Sequence, residues 1–252
     1  MPSLAQMLVL VPAGVAAGAL GAAGGITSLV SYSALLAVGL PPLPATVANL
    51  VACVATGPGA ALTSRSEIRS VAAPLRRALL PAVVAAAVGA GLLLTTSPGV
   101  FSVVVPYLVA LASLVLLVQP RLTAAVARRA ERPRRAAVLL LVLVSLYAGY
   151  FGAGSGIMLL ALLLVVVDER LPVANAMKNV LVAVTALVSA LVFAVATPIE
   201  WAAVVPLAIG LFAGSTAGPV ITRFVPPVAV RWGVAVLGLV LAVDLWLDGA
   251  SA

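Results

Sequence analysis

Gly21-Ala22-Ala23-Gly24-Gly25-Ile26 and Gly152-Ala153-Gly154-Ser155-Gly156-Ile157 lie 131 residues apart (152 − 21), each inside a long apolar stretch. The offset holds beyond the glycines: Leu40-Pro41 pairs with Leu171-Pro172, and Ala45 with Ala176. Glycine permits a sharp turn and lets other groups approach the backbone closely. Two such breaks at one spacing predict a duplicated unit whose helix ends, with their unpaired backbone groups, sit deep in a membrane.

The composition around the breaks is that of a membrane protein. Of 252 residues, 64% are hydrophobic and 8% charged, with a mean hydropathy of +1.28. Residues 1–64, 78–120 and 136–167 carry no charged side chain. About 20 apolar residues span a bilayer, so each run holds more than one pass or a folded-back pair. The N-terminus has no basic n-region, which argues against a cleaved signal peptide. The net charge of +7 does not point to nucleic acid. Ten of the fourteen cations fall in two short stretches, one holding Arg65, Arg69, Arg76 and Arg77, the other Arg121, Arg128, Arg129, Arg132, Arg134 and Arg135. That is the positive-inside pattern of cytoplasmic loops, and no aromatics are interleaved to stack bases. The second stretch also suits contact with anionic lipid headgroups. A single cysteine, Cys53, and no histidine exclude a disulfide framework and a Cys/His metal site. Cys53 reads as a small helix-packing residue.

Apolar runs between breakers predict helices over 4–20, 26–38, 45–63, 78–94 and 98–118, then 136–150, 156–167, 172–196, 201–222 and 232–247. The fold class is therefore all-α and polytopic. It has a first transmembrane repeat over 1–119, an Arg-rich cytoplasmic linker over 120–135 and a second repeat over 136–252. Each repeat is a glycine-broken helix pair followed by three spanning helices. Helices are required because lipid offers the backbone no hydrogen-bonding partner, and no period-2 alternation suggests a barrel. If each broken segment is one crossing, the repeats are parallel; if it folds back as a hairpin, they are inverted. With the linker inside, the inverted arrangement puts Asp168-Glu169-Arg170 and the loop carrying Arg223 and Arg231 inside. Thirteen of fourteen cations are then cytoplasmic, the other being Lys178 within a helix. The parallel arrangement strands Arg170, Arg223 and Arg231 outside, so the charges favour inversion.

The broken segments carry the chemistry. Gly24, Gly25, Ile26 and Thr27 open one short helix; Gly154, Ser155, Gly156 and Ile157 open the other. The first turn of each offers unpaired N–H groups and the positive end of the helix dipole, an anion site that needs no arginine. Close helix packing is the competing reading for any single glycine motif; its duplication argues for a site. After each proline turn runs a polar-striped helix, with Asn175, Lys178, Asn179, Thr185 and Ser189 in one and Thr46, Asn49, Cys53 and Thr56 in the other. Lys178 is the one cation within a spanning segment, where an ionisable group faces a cavity or a partner; snorkelling to the interface is its alternative. Asn49 and Asn179 correspond across the repeats if one residue is gapped, and hydrogen bonding to neighbouring helices is the competing role for each. Gly210, Gly214 and Gly218 read as a packing ladder, and Trp201, Trp232 and Trp246 as interfacial anchors. No carboxylate falls in mid-span, so no proton relay is visible.

These residues resemble the TauE/SafE family of sulfite and organosulfonate exporters. The resemblance rests on the two glycine repeats, the Leu40-Pro41-Pro42 and Leu171-Pro172 turns, Ala48-Asn49, Asn175-Ala176-Met177-Lys178-Asn179 and Gly210–Gly218, and it covers about residues 8 to 245. It implies a membrane transporter that exports sulfite or small organosulfonates. Ser155 interrupts a glycine triplet that the family's second repeats commonly complete. Lys178-Asn179 stands where the family often has Thr-Ser or Thr-Asn, a departure that bears on substrate choice. An anion channel, an importer of another oxyanion or carboxylate, and a scaffold without transport are the competing functions. A catalytic set is absent: there is no histidine and no pair of acids in a span, which speaks against an enzyme. No cofactor is called for. The expected partners are a small anionic substrate and the lipid bilayer in the cell membrane, with a homodimer left open.

Overall fold

The computed structural model describes residues 4–127, 134–167, 170–221 and 227–250. The expectations placed on Arg128, Arg129, Arg132, Asp168, Glu169 and Arg223 lie outside them. Among the described residues every regular element is an α-helix. The first half of the chain gives α1 (Leu4–Gly24), α2 (Thr27–Ala37), α3 (Pro42–Cys53), α4 (Thr56–Thr63), α5 (Arg65–Ser70), α6 (Ala72–Thr95) and α7 (Pro98–Ala127). The second gives α8 (Arg134–Tyr150), α9 (Ser155–Val166), α10 (Leu171–Ala196), α11 (Trp201–Ile221) and α12 (Pro227–Ala250). Five stretches have the length and hydropathy to cross a membrane: Pro42–Leu62, Ala72–Thr95, Pro98–Arg121, Leu171–Ala196 and Trp201–Gly218. α2 and α9, with 11 and 12 residues, are only about 16–18 Å long against a hydrocarbon core of about 30 Å.

Several boundaries differ from the sequence reading. The helix expected over 45–63 is interrupted between Cys53 and Thr56. Pro58 has no N–H to bond the carbonyl of Val54 and its ring crowds that oxygen, while Gly57 N takes it instead at 3.2 Å. α5 was not foreseen; its Arg65 and Arg69 are exposed. α7 runs through Pro120 to Ala127, so the first part of the expected linker is helical.

Packing pairs the halves crosswise. α1 lies along α11 and α8 along α6; α7 packs on α12; α10 lies against α6, and α3 and α4 against α11. Each of these pairings has its counterpart with the halves exchanged. In lipid no hydrophobic effect drives helices together, so close van der Waals contact between small residues must. Both main seams have this form. A Cβ on Gly14 would stand 2.6 Å from Leu207 O and one on Gly18 2.5 Å from Leu211 O. Added Cβ atoms on Gly210 and Gly214 would collide with Val11 O and Val15 O, which makes the glycine ladder of α11 a packing surface. Between α6 and α8, Gly89 and Gly149 meet Leu146 O and Ala86 O in the same way. Trp201, Trp232 and Trp246 lie close to helix ends and are more than half exposed, as suits the headgroup level.

Aromatic residues gather around the breaks. Phe151, just ahead of the second break, packs edge-on to Tyr32 of α2 with ring centroids 5.1 Å apart, and also meets Phe101 of α7 at 6.4 Å and Tyr147 at 6.3 Å. The Tyr147 hydroxyl donates to Ala153 O at 2.7 Å, which fixes the carbonyl inside the break.

Candidate functional site

The two glycine breaks touch. Gly25 and Gly156 are the same position of the two sequence motifs (25 + 131 = 156). A Cβ on Gly25 would lie 2.6 Å from the Gly156 carbonyl carbon, and one on Gly156 2.6 Å from Gly25 O. Backbone therefore meets backbone at this point, which only glycine allows. Gly25 (φ 76), Gly152 (φ 84) and Gly154 (φ 79) are left-handed, so the turns themselves also require glycine. Thr27 comes back so close to Gly21 that no Cβ would fit there, and α1 and α2 pack on one another.

α2 and α9 start at this crossing, and neither has a side-chain cap: Ile26 stands at the N-cap of α2 and Gly154 at that of α9. Both positive dipole ends lie at the same place. In α9 the Ser155 and Ile157 N–H groups are already taken, by Gly152 O and Gly154 O at 3.1 Å each, so its first turn offers the crossing the Gly156 N–H. Ser155 caps nothing; its hydroxyl donates to Gly152 O at 2.6 Å.

Lys178 of α10 reaches the crossing from the side. It is 1% exposed, and its Nζ donates to Gly21 O at 2.9 Å. Three residues earlier, Asn175 Nδ2 donates to Ala22 O at 2.6 Å. Both acceptors belong to the last turn of α1, at the negative end of its dipole; Gly21 O also accepts the Gly25 N–H at 2.8 Å. A long cationic side chain at a helix C-terminus is the favourable placement.

A small polar cavity opens beside these groups. Gly25, Thr27, Ser155, Gly156, Lys178 and Asn179 line it, six of the residues expected from sequence. Gly24, Ile26, Gly154 and Ile157 are not on its wall: the glycines shape the breaks, and Ile26 and Ile157 are buried in the core. Asn175 grips α1 alongside. Thr46 and Asn49 stand apart from the wall, between α2 and α3, where Thr46 donates to Pro42 O at 3.0 Å and Asn49 accepts from Ser31 at 2.5 Å. The wall also includes Gly21, Ala22, Ser28, Thr56 and Ser215, which the sequence reading did not assign to the site. Thr56 belongs to the polar stripe read from the sequence, Ser28 was not singled out there, and Ser215 hides within the packing ladder of α11. Lys178 is the one charged side chain on this wall. Among the described residues no group of His, Cys, Asp or Glu is placed to hold a metal ion.

Short broken helices meeting between long apolar ones, with their ends around a polar cavity, are the architecture of membrane transporters built on discontinuous helices. The model of the sulfite exporter TauE/SafE family matches residues 8–245. The chain belongs to that family of membrane transporters. No curated protein and no solved structure matches it.

Proposed function

We propose that this protein exports small anions, sulfite or small organosulfonates, across the cell membrane. The anion sits in the cavity where α2 and α9 begin, held by the first-turn N–H groups of α2, by the Gly156 N–H and by Lys178. The observation that carries this reading is the Gly25–Gly156 contact, which brings two uncapped helix N-termini and one buried lysine to a single polar cavity. Thr27, Ser155 and Asn179 supply neutral donors around the same space. Two helix ends and a lysine favour a compact oxyanion over a cation or a neutral solute.

The exchange-symmetric pairing of the helices and the close return of Thr27 onto Gly21 support two repeats related by a two-fold axis, each broken segment folded back as a hairpin. That arrangement is the inverted one, which also keeps the cations cytoplasmic. Export needs no proton relay. An inside-negative potential of about 100 mV drives a monovalent anion outward with about 2.3 kcal/mol, roughly a fifty-fold gradient. The test uses proteoliposomes clamped with potassium and valinomycin and loaded with radiolabelled sulfite or methanesulfonate. Efflux should follow the voltage and persist when the pH gradient is collapsed. Flux no faster than from protein-free vesicles refutes the reading; flux that dies with the pH gradient refutes the voltage-driven form of it.

A further inference from the structure

α2 packs on α3 through side chains that the second half lacks. Ser28 Oγ lies 3.6 Å from Cys53 Sγ. One turn further from the cavity, Ser31 Oγ donates to Asn49 Oδ1 at 2.5 Å, and Cys53 donates to the same oxygen at 3.9 Å. Beyond them Tyr32 OH and Thr46 Oγ1 both donate to Pro42 O, at 3.4 and 3.0 Å. These pairs form a polar ladder from Ser28 on the cavity wall to the turn at 38–41.

At the same offset of 131, the second half has Leu159, Leu162 and Leu163 for Ser28, Ser31 and Tyr32, and Met177, Val180 and Val184 for Thr46, Asn49 and Cys53. A one-residue gap would instead set Asn179 against Asn49, but Asn179 lines the cavity. The α9–α10 seam itself is packed from Leu159, Leu162, Leu163, Met177 and Leu181, so the fold does not need a polar seam. The ladder is also incompletely satisfied. Asn49 is 0% exposed, yet its Nδ2 has no partner. Ser31 has one hydroxyl hydrogen for two acceptors, Asn49 Oδ1 and Thr27 O, the latter at 2.9 Å. The buried Asn49 amide thus has one end without a partner, and an unmet polar group inside a membrane protein costs stability.

A second asymmetry falls on the same helix. α2 is bounded by left-handed glycines on both sides, Gly25 (φ 76) and Gly39 (φ 89), whereas the sequence places no glycine between the end of α9 and Leu171. A Cβ on Gly39 would meet nothing, so this glycine serves the backbone conformation and not a close contact. An 11-residue helix thus has a hinge-competent residue just outside each end.

We infer that the seam between α2 and α3 is the route by which the anion passes between the cavity and the membrane face bearing the 38–41 turn. It opens when α2 swings on Gly25 and Gly39, with Ser28, Cys53, Ser31 and Asn49 as successive donors about one helical turn apart. The inference rests on the reading that the chain transports anions. Donors repeated along the path replace the hydration of an oxyanion stepwise, which an apolar seam does not.

Cys53 is the chain's single cysteine and reports on this seam directly. Wild-type protein in proteoliposomes is treated with 2-sulfonatoethyl methanethiosulfonate, a membrane-impermeant organosulfonate that forms a mixed disulfide with thiols. Modification is read as intact mass, with Cys53→Ala as the blank. Labelling that methanesulfonate slows is the expected result; Cys53 left unmodified in vesicles that carry anion flux overturns the route. A Ser28→Cys variant then places a second thiol against Cys53. Oxidation with copper phenanthroline should abolish methanesulfonate flux and dithiothreitol should restore it. Flux that continues with the disulfide closed overturns the swing of α2. Wild-type vesicles that move neither sulfite nor methanesulfonate refute the transport reading itself, a failure distinct from either of these because labelling is read without flux.

Discussion

Replacing Lys178 by Met keeps an unbranched side chain of similar length and removes every donor. Two losses follow. The Gly21 carbonyl loses the Nζ donor at 2.9 Å and keeps only the Gly25 N–H at 2.8 Å; losing one such buried hydrogen bond costs about 0.5–1.5 kcal/mol of stability. The cavity also loses its one charged donor. A hydrogen bond to a charged group contributes about 1.5–3 kcal/mol, so anion affinity should fall roughly 10- to 150-fold. Thermal unfolding in detergent and binding of radiolabelled sulfite to the purified protein measure the two losses separately. Lys178→Arg should recover only part of the affinity, because a broad planar fork replaces a compact ammonium in a fully packed place. Wild-type affinity together with a lowered melting temperature would confine Lys178 to tying α10 to α1 and remove it from the anion site. Wild-type values for both would refute the geometric argument altogether.

Gly25→Ala and Gly156→Ala should each destabilise the protein, since either Cβ would stand 2.6 Å from the opposing backbone. Gly25→Ala should be the worse by about 1–2 kcal/mol, the cost of a left-handed alanine at φ 76; equal melting temperatures for the two variants would contradict this. Gly91→Ala, whose Cβ meets nothing within 4 Å in mid-helix, should be neutral or stabilising on the same melting assay. For topology, cysteines at 41, 97 and 200 in a Cys53→Ala background should react with an impermeant maleimide from outside, and those at 66, 121 and 171 only after permeabilisation. Reversed labelling of 171 and 200 would make the halves parallel.

How much of this was legible in the sequence differs from residue to residue. The breaks at Gly24-Gly25 and Gly154-Ser155-Gly156 were visible because a left-handed turn inside an apolar run is a local demand that glycine alone meets. Lys178 was visible as a charge with no company in its span. Its partner was not, because Gly21 O is a main-chain atom and carries no residue signature. The meeting of Gly25 with Gly156 was equally hidden, as it depends on how α1, α2, α8 and α9 cross. The stripe of Thr46, Asn49 and Cys53 was readable as one helical face, but which neighbour it faced was not. The interruption after Cys53 was missed because proline is tolerated in many membrane helices, and sequence does not show that the Val54 carbonyl left by Pro58 is taken by the Gly57 N–H in a tighter turn. Ser215 was assigned to packing with its neighbouring glycines, and it does pack, against Gly59, while also lining the cavity.

The contact between Gly25 and Gly156 has a mechanical consequence. Side chains that meet across an interface can change rotamer and so let the two surfaces slide. Two bare backbones have no such slack, and their separation is set by peptide geometry. The crossing therefore behaves as a pivot pin: the segments on either side are free to tilt about it but not to translate along it. An anion bound at these helix ends, as proposed, would keep its depth in the membrane while the arms beyond it change their angle.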